Sequence, residues 1–344
     1  MAVLGASGYT GGELIRLVLE HPVAEISYVG VRDASERTLP GEHPFLAGAA
    51  DLPLGELDPE AAATEAEFVF FAMPHGLSAE HAPAALEAGA RVIDLGGDFR
   101  LPAEAYPEWY GFEHPCPEWL DKAVYGLPEL FADAVAGAQL VANPGCYPTP
   151  VILGLAPPLR AGLVARGPLL VDGKSGLSGA GKSLSDAMSF SASHESVRPY
   201  RVPKHQHTPE IEHVLGLASG IPAPRAIFVP HLVPQVRGVL CTSYVPLTSA
   251  DTTTEQLTGC LTEAYRGCPF VRVLPPGEMV DTKRVRGSNT IELQAIADPR
   301  TGHAVVIGAI DNLVKGAAGQ AVQNFNLMSG LPETAGLSAT GVYP

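Results

Sequence analysis

Nothing in this chain restricts the fold as tightly as three glycines, Gly5, Gly8 and Gly11, in the stretch GASGYTGG. An apolar pair, Val3-Leu4, runs directly into them. ELIRLVLEH follows, with apolar residues at helical spacing, and stops at His21-Pro22, where proline cannot continue a helix. This is a G-x-x-G-x-x-G variant of the dinucleotide fingerprint, whose usual form is G-x-G-x-x-G. Glycines at such a strand-to-helix turn let the backbone approach a pyrophosphate at the helix N-terminus, where unpaired N–H groups favour anions. The stretches EISYVGV, FVFFAMP and RVIDLGG read as further strands, and APAALEAGA as a helix ended by Gly89. Strands alternating with helices predict an α/β fold: a parallel sheet with helices on both faces, a Rossmann dinucleotide-binding domain over residues 1–145.

The middle of the chain reads differently. GPLLVDGKSGLSG, RAIFVPHLVPQVRGVLCTSYVPL and VRGSNTIELQAIADP are strand-rich and punctuated by proline, and HAVVIGAID adds a strand. The pattern predicts an inserted α+β domain over residues 146–311 with a mixed or mostly antiparallel sheet. AAGQAVQNFNLMSG then reads as a helix with Ala318, Ala321, Val322 and Phe325 on one face, stopped by Gly330 and Pro332. It is expected to complete the first domain within residues 312–344. A length of 344 residues fits two domains of roughly 100–200 residues each.

Composition removes several partner classes. With 22 basic and 37 acidic residues the net charge is −15, which argues against nucleic acid, since phosphate neutralisation needs clustered Lys and Arg. No apolar run approaches the roughly 18–20 residues of a membrane span, so no membrane partner is expected. Five cysteines without a CxxC pair do not make a disulfide framework and point to a cytoplasmic, reducing setting.

Four stretches bear on chemistry. At the end of the second strand, VGVRD places Arg32 where an NAD site would carry an acidic residue. Arg32 suits a 2′-phosphate and points to NADP, although Asp33 follows at once. GLSGAGKS, Gly176 to Ser183, matches the phosphate-cradling G-x-x-x-x-G-K-[ST] pattern, and Asp311 at the end of VVIGAID could pass for a magnesium-binding strand. The Ser-rich LSDAMSFSASHES after it is a poor helix, which speaks against an ATP site. Backbone N–H groups with Ser175, Ser178 and Lys182 could still hold a phosphate; the bland alternative is a flexible surface loop.

KHQHTPEIEHVLG carries His205, His207, Glu210 and His213. Thr208 reads as a helix cap and Pro209 as the first helical residue, which leaves His207 just before the helix. The positive helix end favours a neutral imidazole there, able to accept a proton, with Glu210 placed to orient it. A metal site from His205, His207 and Glu210 matches no established zinc spacing, and no metal is expected. In NPGCYPTP, Pro144-Gly145 forces a turn, and a helix is expected from about Thr149. A thiol near a helix N-terminus has its thiolate stabilised, and thiolate is the useful nucleophile toward acyl carbonyls. Cys116, Cys241, Cys260 and Cys268 lack that setting.

These pieces, with AMPHG, VIDLGGDFRL, VYGLPEL, DGKSGLSGAGK, PHLVPQVRG, RGSN and GAAGQAVQNFNLMSGLPET, give the chain a nearly end-to-end resemblance to the N-acetyl-gamma-glutamyl-phosphate reductase family of arginine biosynthesis. The resemblance implies the semialdehyde dehydrogenase fold, a Rossmann domain plus an α+β catalytic and oligomerisation domain. It implies NADP(H), a small acyl-phosphate substrate and a homodimer or homotetramer. The family's nucleophile falls on Cys146 and its acid/base histidine on His207, with Glu210 beside it. Cofactor contacts are implied at Gly5, Ser7, Gly8, Tyr9, Thr10, Gly11, Arg32, Pro74, Ser175, Gly176 and Asn312, and substrate contacts at Arg100, Ser178, Lys182 and His205. Arg198, Arg201 and Lys204 lie near His207 in sequence. The expected reaction is reduction of N-acetyl-L-glutamyl 5-phosphate to the 5-semialdehyde through a Cys146 thioester. The alternatives are the lysine-pathway reductase acting on a carrier-linked aminoadipyl phosphate, a non-catalytic NADP-sensing regulator and, third, an ATP-using enzyme. Two positions depart from the family: Gly96-Gly97 stands where a Ser-Ala pair is frequent, and Arg32-Asp33 where Ser-Arg is usual.

Overall fold

The computed structural model describes residues 1–35, 37–49, 52–183, 185–222 and 224–344. The chain forms two compact units. One comprises Met1–Gly145 and Ala317–Leu337, the other Cys146–Gly316 and Ser338–Pro344.

The first unit is built on a seven-stranded sheet: β1 (Ala2–Leu4), β2 (Tyr28–Val31), β3 (Gly55–Glu56), β4 (Phe68–Phe71), β5 (Arg91–Asp94), β6 (Val124–Tyr125) and β7 (Leu140–Ala142). The order is β3-β2-β1-β4-β5-β7-β6, and every pairing is parallel. Parallel strands covered on both faces read as continuous apolar runs, and all four residues of FVFF in β4 are buried. The strand order reverses at β1, which lies between β2 and β4. Ligands of such sheets bind beyond the strand C-termini at this switch.

The helix Gly319–Met328 closes the first unit, and nine of its ten residues are buried rather than one apolar face. Its side-chain amide N–H groups find acceptors inside. Gln320 and Asn324 donate to the Gly126 carbonyl at 3.0 and 2.9 Å, and Asn326 donates to the Glu333 and Ala335 carbonyls. Residues 338–344 do not stay with this unit, as a C-terminal segment 312–344 would have done; they belong to the second.

That second unit holds a mixed sheet of β8 (Leu169–Ser175), β9 (Arg198–Pro199), β10 (Ala226–Leu232), β11 (Val239–Pro246), β12 (Val271–Val273), β13 (Ile291–Asp298) and β14 (His303–Ile310), in the order β12-β13-β14-β11-β8-β10-β9. Helices Pro148–Arg160, His207–Ser219 and Thr254–Ala264 pack on one face. Two glycines let the first of them close in. A Cβ on Gly308 would lie 2.7 Å from Pro150 Cβ, and one on Gly154 2.8 Å from Val306 Cγ1. Pro157 has no N–H to give to the Leu153 carbonyl, and Tyr265 Oη donates there instead, at 2.5 Å.

The opposite face is open. Register places Ile227, Leu170, Tyr244, Val305 and Ile296 side by side across five strands. Ile227, Leu170 and Tyr244 are 54%, 44% and 41% exposed. No helix among the described residues is long and apolar enough to cross a membrane.

Candidate active site

In the first unit, the glycine turn, Arg32 and Pro74 follow the C-terminal ends of β1, β2 and β4. The helix Tyr9–Leu19 starts from Gly8, and no acidic side chain stands in its first turn. Gly5 has φ +83°, and a Cβ there would sit 2.5 Å from the Ala72 carbonyl oxygen. A Cβ on Gly11 would lie 2.8 Å from Ala6 Cα, so the helix packs against the turn only because no side chain intervenes. Gly8 is different. Its backbone is extended, with φ −79°, and a Cβ on it would meet nothing within 4 Å. No part of the protein requires glycine here, whereas a pyrophosphate on the helix N-terminus would. The turn therefore fits the dinucleotide.

This contrast gives a first prediction. Gly5→Ala should destabilise the protein by at least ~1–2 kcal/mol, the scale of a left-handed backbone without glycine. Gly8→Ala should leave the melting temperature unchanged and weaken cofactor binding roughly 5- to 150-fold, the equivalent of about 1–3 kcal/mol of overpacking. Calorimetry and cofactor titration of both variants check this.

Ser7, Tyr9 and Thr10 complete the turn, with Tyr9 exposed. Arg32 is exposed and makes no hydrogen bond or ion pair among the described residues. Asp33 is turned into its own loop. Its Oδ1 accepts from Ser35 Oγ at 2.6 Å and from Ser35 N at 3.2 Å, and these bonds lower its pKa.

Arg100 is buried, with Nε donating to the Asn143 carbonyl at 2.8 Å and Nη2 to the Leu95 carbonyl at 3.0 Å. The first of these bonds fixes backbone three residues ahead of Cys146. Asn143 is held further: Nδ2 donates to the Ala317 carbonyl at 3.1 Å, and Oδ1 accepts from Asn324 at 3.0 Å. Beneath lies a carboxylate pair. Asp98 accepts from the N–H groups of Gly76 and Ala79 at the start of the helix Leu77–Glu87. Burial and then the Asp98 charge push Asp94 up to about 7.

In the second unit Cys146 is half-buried, and every other residue from Asn143 to Pro150 is buried. Cys146 lies two residues before the helix Pro148–Arg160, which caps on Tyr147, close to the expected start at Thr149. The Tyr147 ring then forms a wall. Its centroid is 5.9 Å from those of both His205 and His207, and 5.1 Å from Phe228. Its hydroxyl donates to the His231 carbonyl at 3.0 Å and meets Tyr200 Oη at 3.4 Å. A Cβ on Gly173 would lie 2.6 Å from the Tyr147 ring, so the glycine of DGKS makes room for tyrosine rather than for phosphate. Cys241 sits behind, its sulfur 3.7 Å from the Tyr147 carbonyl. Burial first, and the neighbouring Cys146 second, push its pKa well above the ordinary thiol value.

His205 and His207 have ring centroids 4.7 Å apart. The histidine helix begins earlier than Thr208-Pro209 suggested: it spans His207–Ser219, so His207 is its first residue. Thr208 N already donates to the His205 carbonyl at 2.9 Å, and the Thr208 side chain does not cap. His205 takes that role through its ring, with Nδ1 accepting from His207 N at 3.1 Å. As acceptor, Nδ1 carries no proton, so a neutral His205 has its N–H at Nε2. Glu210 is fully buried and shares a helix face with His207, three residues away. No group of three or more His, Cys, Asp or Glu side chains suited to a metal occurs among the described residues.

The Gly/Ser loop is not an open nest. The N–H groups of Gly176, Leu177 and Ser178 donate to the carbonyls of Gly238, Gln235 and Val236, and those of Gly179 and Gly181 to Gly176 and Ser178. A phosphate cradle needs such donors unspent. Nor, among the described residues, does a helix of any length follow Ser183; the short turns Asp186–Met188 and Phe190–Ser193 form there. These five N–H groups are therefore not available to cradle an anion, which counts against the apparent ATP motif. Asp311 is no metal strand either, since its carboxylate accepts backbone N–H groups. What the loop does bring together is Ser178 and Asn312: Asn312 Nδ2 donates to Ser178 Oγ at 2.9 Å, and its Oδ1 accepts from Gly238 N at 2.8 Å. Ser175 lies alongside, its Oγ 2.6 Å from where a Gly179 Cβ would stand. Lys182 is exposed beyond them.

Sequence reasoning overlooked Tyr147, Asn143, Asn324 and Tyr200. Only Asn143 carried a local signal, as the polar residue opening N-P-G-C.

Residues 1–138 match the profile of the semialdehyde dehydrogenase NAD binding domain, and residues 146–312 that of the semialdehyde dehydrogenase dimerisation domain. Solved structures agree in fold. Aspartate semialdehyde dehydrogenase II from Vibrio cholerae superposes with a TM-score of 0.72 at 18% identity, covering 96% of this chain and 98% of that one. Aspartate semialdehyde dehydrogenase with NADP from Candida albicans gives 0.71 at 15%, covering 95% and 97%. A Rossmann unit followed by a second unit that opens on a half-exposed cysteine thus defines an oxidoreductase of the semialdehyde dehydrogenase class. Over 100% of its length the chain is 48% identical to N-acetyl-gamma-glutamyl-phosphate reductase from Symbiobacterium thermophilum and 47% identical to that from Desulforudis audaxviator, covering 99% of each. The chain belongs to the N-acetyl-gamma-glutamyl-phosphate reductase family.

Proposed function

We propose that the protein reduces N-acetyl-L-glutamyl 5-phosphate to N-acetyl-L-glutamate 5-semialdehyde and phosphate in arginine biosynthesis. The observation that carries the chemistry is the isolation of Cys146 as the one unburied residue of Asn143–Pro150, beside a tyrosine packed on two histidines. The full-length relatives named for this reductase supply the substrate. The first unit is the cofactor domain and the second the catalytic and oligomerisation domain.

The Cys146 thiolate attacks the 5-acyl carbon. A C–S bond forms, the C–O bond to phosphate breaks, and inorganic phosphate leaves. A bound nicotinamide dinucleotide supplies the hydride that reduces the resulting thioester. His207 gives a proton to the carbonyl oxygen as it gains charge and takes it back as the C–S bond breaks, which releases the aldehyde and regenerates the thiolate. Glu210 and the Tyr147 ring hold the imidazole. Arg100 braces the Asn143 backbone through Nε, and its positive charge suits an anionic substrate.

NADP is the preferred cofactor on this reading, because Arg32 is uncommitted while Asp33 is tied to Ser35. Arg32→Ala should lower kcat/KM for NADP about tenfold, the loss of one charge-assisted contact, and leave that for NAD nearly unchanged. The open sheet face supports a homo-oligomer through a second copy, since an apolar row this exposed is uncommon on a monomer. Leu170→Glu with Tyr244→Asp should shift the sedimentation coefficient to that of a monomer.

The function is tested by assaying NADP reduction with N-acetylglutamate 5-semialdehyde, with and without phosphate or arsenate. Turnover should require the anion. Anion-independent turnover would indicate an ordinary aldehyde dehydrogenase, and preference for the longer aminoadipyl chain would indicate the lysine-pathway activity.

A further inference from the structure

Asp311 is fully buried at the end of β14, yet its carboxylate is spent entirely within the second unit. Oδ1 accepts from Leu313 N at 2.8 Å and Val314 N at 3.3 Å, and Oδ2 from Gly287 N at 2.8 Å. Arg237 stands 3.6 Å from Oδ2. The Asp311 carbonyl accepts from Gly316 N at 2.9 Å, a bond spanning five residues. It belongs to the single π-turn Val314–Ala318, a geometry that concentrates at functional sites. Gly316 in that turn lies directly against the nucleophile: a Cβ on it would be 2.8 Å from Cys146 Cβ.

The other end of the network is the C-terminal tail. Ser338 accepts from Asn289 N and Ala339 from Thr290 Oγ1, both at 2.8 Å. Val342 N donates to the Arg286 carbonyl at 2.7 Å, and the Arg286 guanidinium reaches the Pro344 carbonyl at 2.9 Å. The tail thus clamps residues 286–290, and Gly287 within that segment, with φ +75°, delivers its N–H to Asp311.

We propose that Asp311 is a positioning residue for Cys146. It sets the π-turn whose Gly316 backs the thiol, and residues 338–344 brace it through Gly287. The proposal rests on Cys146 as the nucleophile, and two readouts separate the two ideas. Turnover is measured with alkylation of Cys146 by iodoacetamide across pH, in the unsubstituted protein and in Asp311→Ala, Asp311→Asn and Gly341→Ala. A Cβ at position 341 would press on the Arg284 carbonyl and lift the tail. Displacing a reactive group by about 1 Å costs up to ~10²-fold. Asp311→Ala is expected to lower kcat at least about tenfold and slow Cys146 alkylation in parallel, with KM for NADP within about twofold. Asp311→Asn, which keeps an acceptor for Leu313 and Val314, and Gly341→Ala should show smaller losses of the same kind. If the alanine variant does not fold, those two carry the test. Folded variants whose kcat and alkylation profile match the parent overturn the proposal, as does a fall in kcat with alkylation unchanged. Undiminished turnover in Cys146→Ser would instead remove the nucleophile reading on which it rests.

Discussion

Replacing Cys146 with serine is expected to lower phosphate-dependent turnover by at least ~10³-fold, the scale on which loss of a catalytic nucleophile registers. The change is nearly isosteric, and the backbone that aims the side chain is fixed by other groups. Arg100 and Asn324 hold Asn143, and the helix Pro148–Arg160 is buried along almost all its length. Folding and cofactor binding should therefore persist. The hydroxyl stays protonated near neutral pH, whereas a thiol beside a helix N-terminus has access to its thiolate. Cys241, behind the Tyr147 backbone, does not replace Cys146, because burial keeps it a thiol. Steady-state assay with cofactor titration checks both halves of the prediction, and an active serine variant would end the thioester mechanism.

His207→Asn is expected to cost ~10²–10⁴-fold in kcat, the usual contribution of a placed proton-transfer group. Asparagine preserves a polar side chain at the first helical position, and His205 Nδ1 still has the residue 207 N–H to accept. The loss should therefore fall on kcat, and the limb of the pH–rate profile that reports the imidazole should flatten. His205→Asn should behave differently. It removes the ring that accepts from the helix terminus, and its signature should include a lower melting temperature. If the two variants had the same pH profile and the same stability, the assignment of separate roles would fail.

Both predictions depend on features of unequal legibility. The glycine turn was readable because its demands are local: Gly5 needs a positive φ, and Gly11 a close approach within a few residues. The parallel sheet was readable because strands buried on both faces leave unbroken apolar runs such as FVFF. Cys146 announced itself through prolines and a glycine that act on their own neighbourhood. The start of the histidine helix was misread because Thr208-Pro209 satisfies the local rule, while the turn from His205 pre-empts it. GLSGAGKS misled for a different reason. A pattern of residue types does not show where N–H groups point, and here three of them go to carbonyls more than fifty residues away. Tyr147 against Gly173 and the histidines, the apolar row from Ile227 to Ile296, and the tail clamped at residues 286–290 are pairings across the sheet or the chain. No local pattern encodes them.

The most direct test is a single-turnover experiment without phosphate. Wild-type protein is mixed with N-acetylglutamate 5-semialdehyde and NADP, and NADPH absorbance is followed before the protein is digested for mass analysis. With no phosphate to release the acyl group, a burst of one NADPH per Cys146 site should appear, the N-acetylglutamyl group should be found on the peptide bearing Cys146, and later phosphate should discharge it. Steady NADPH production without phosphate, or a burst with the acyl group elsewhere or nowhere on the protein, would contradict the account.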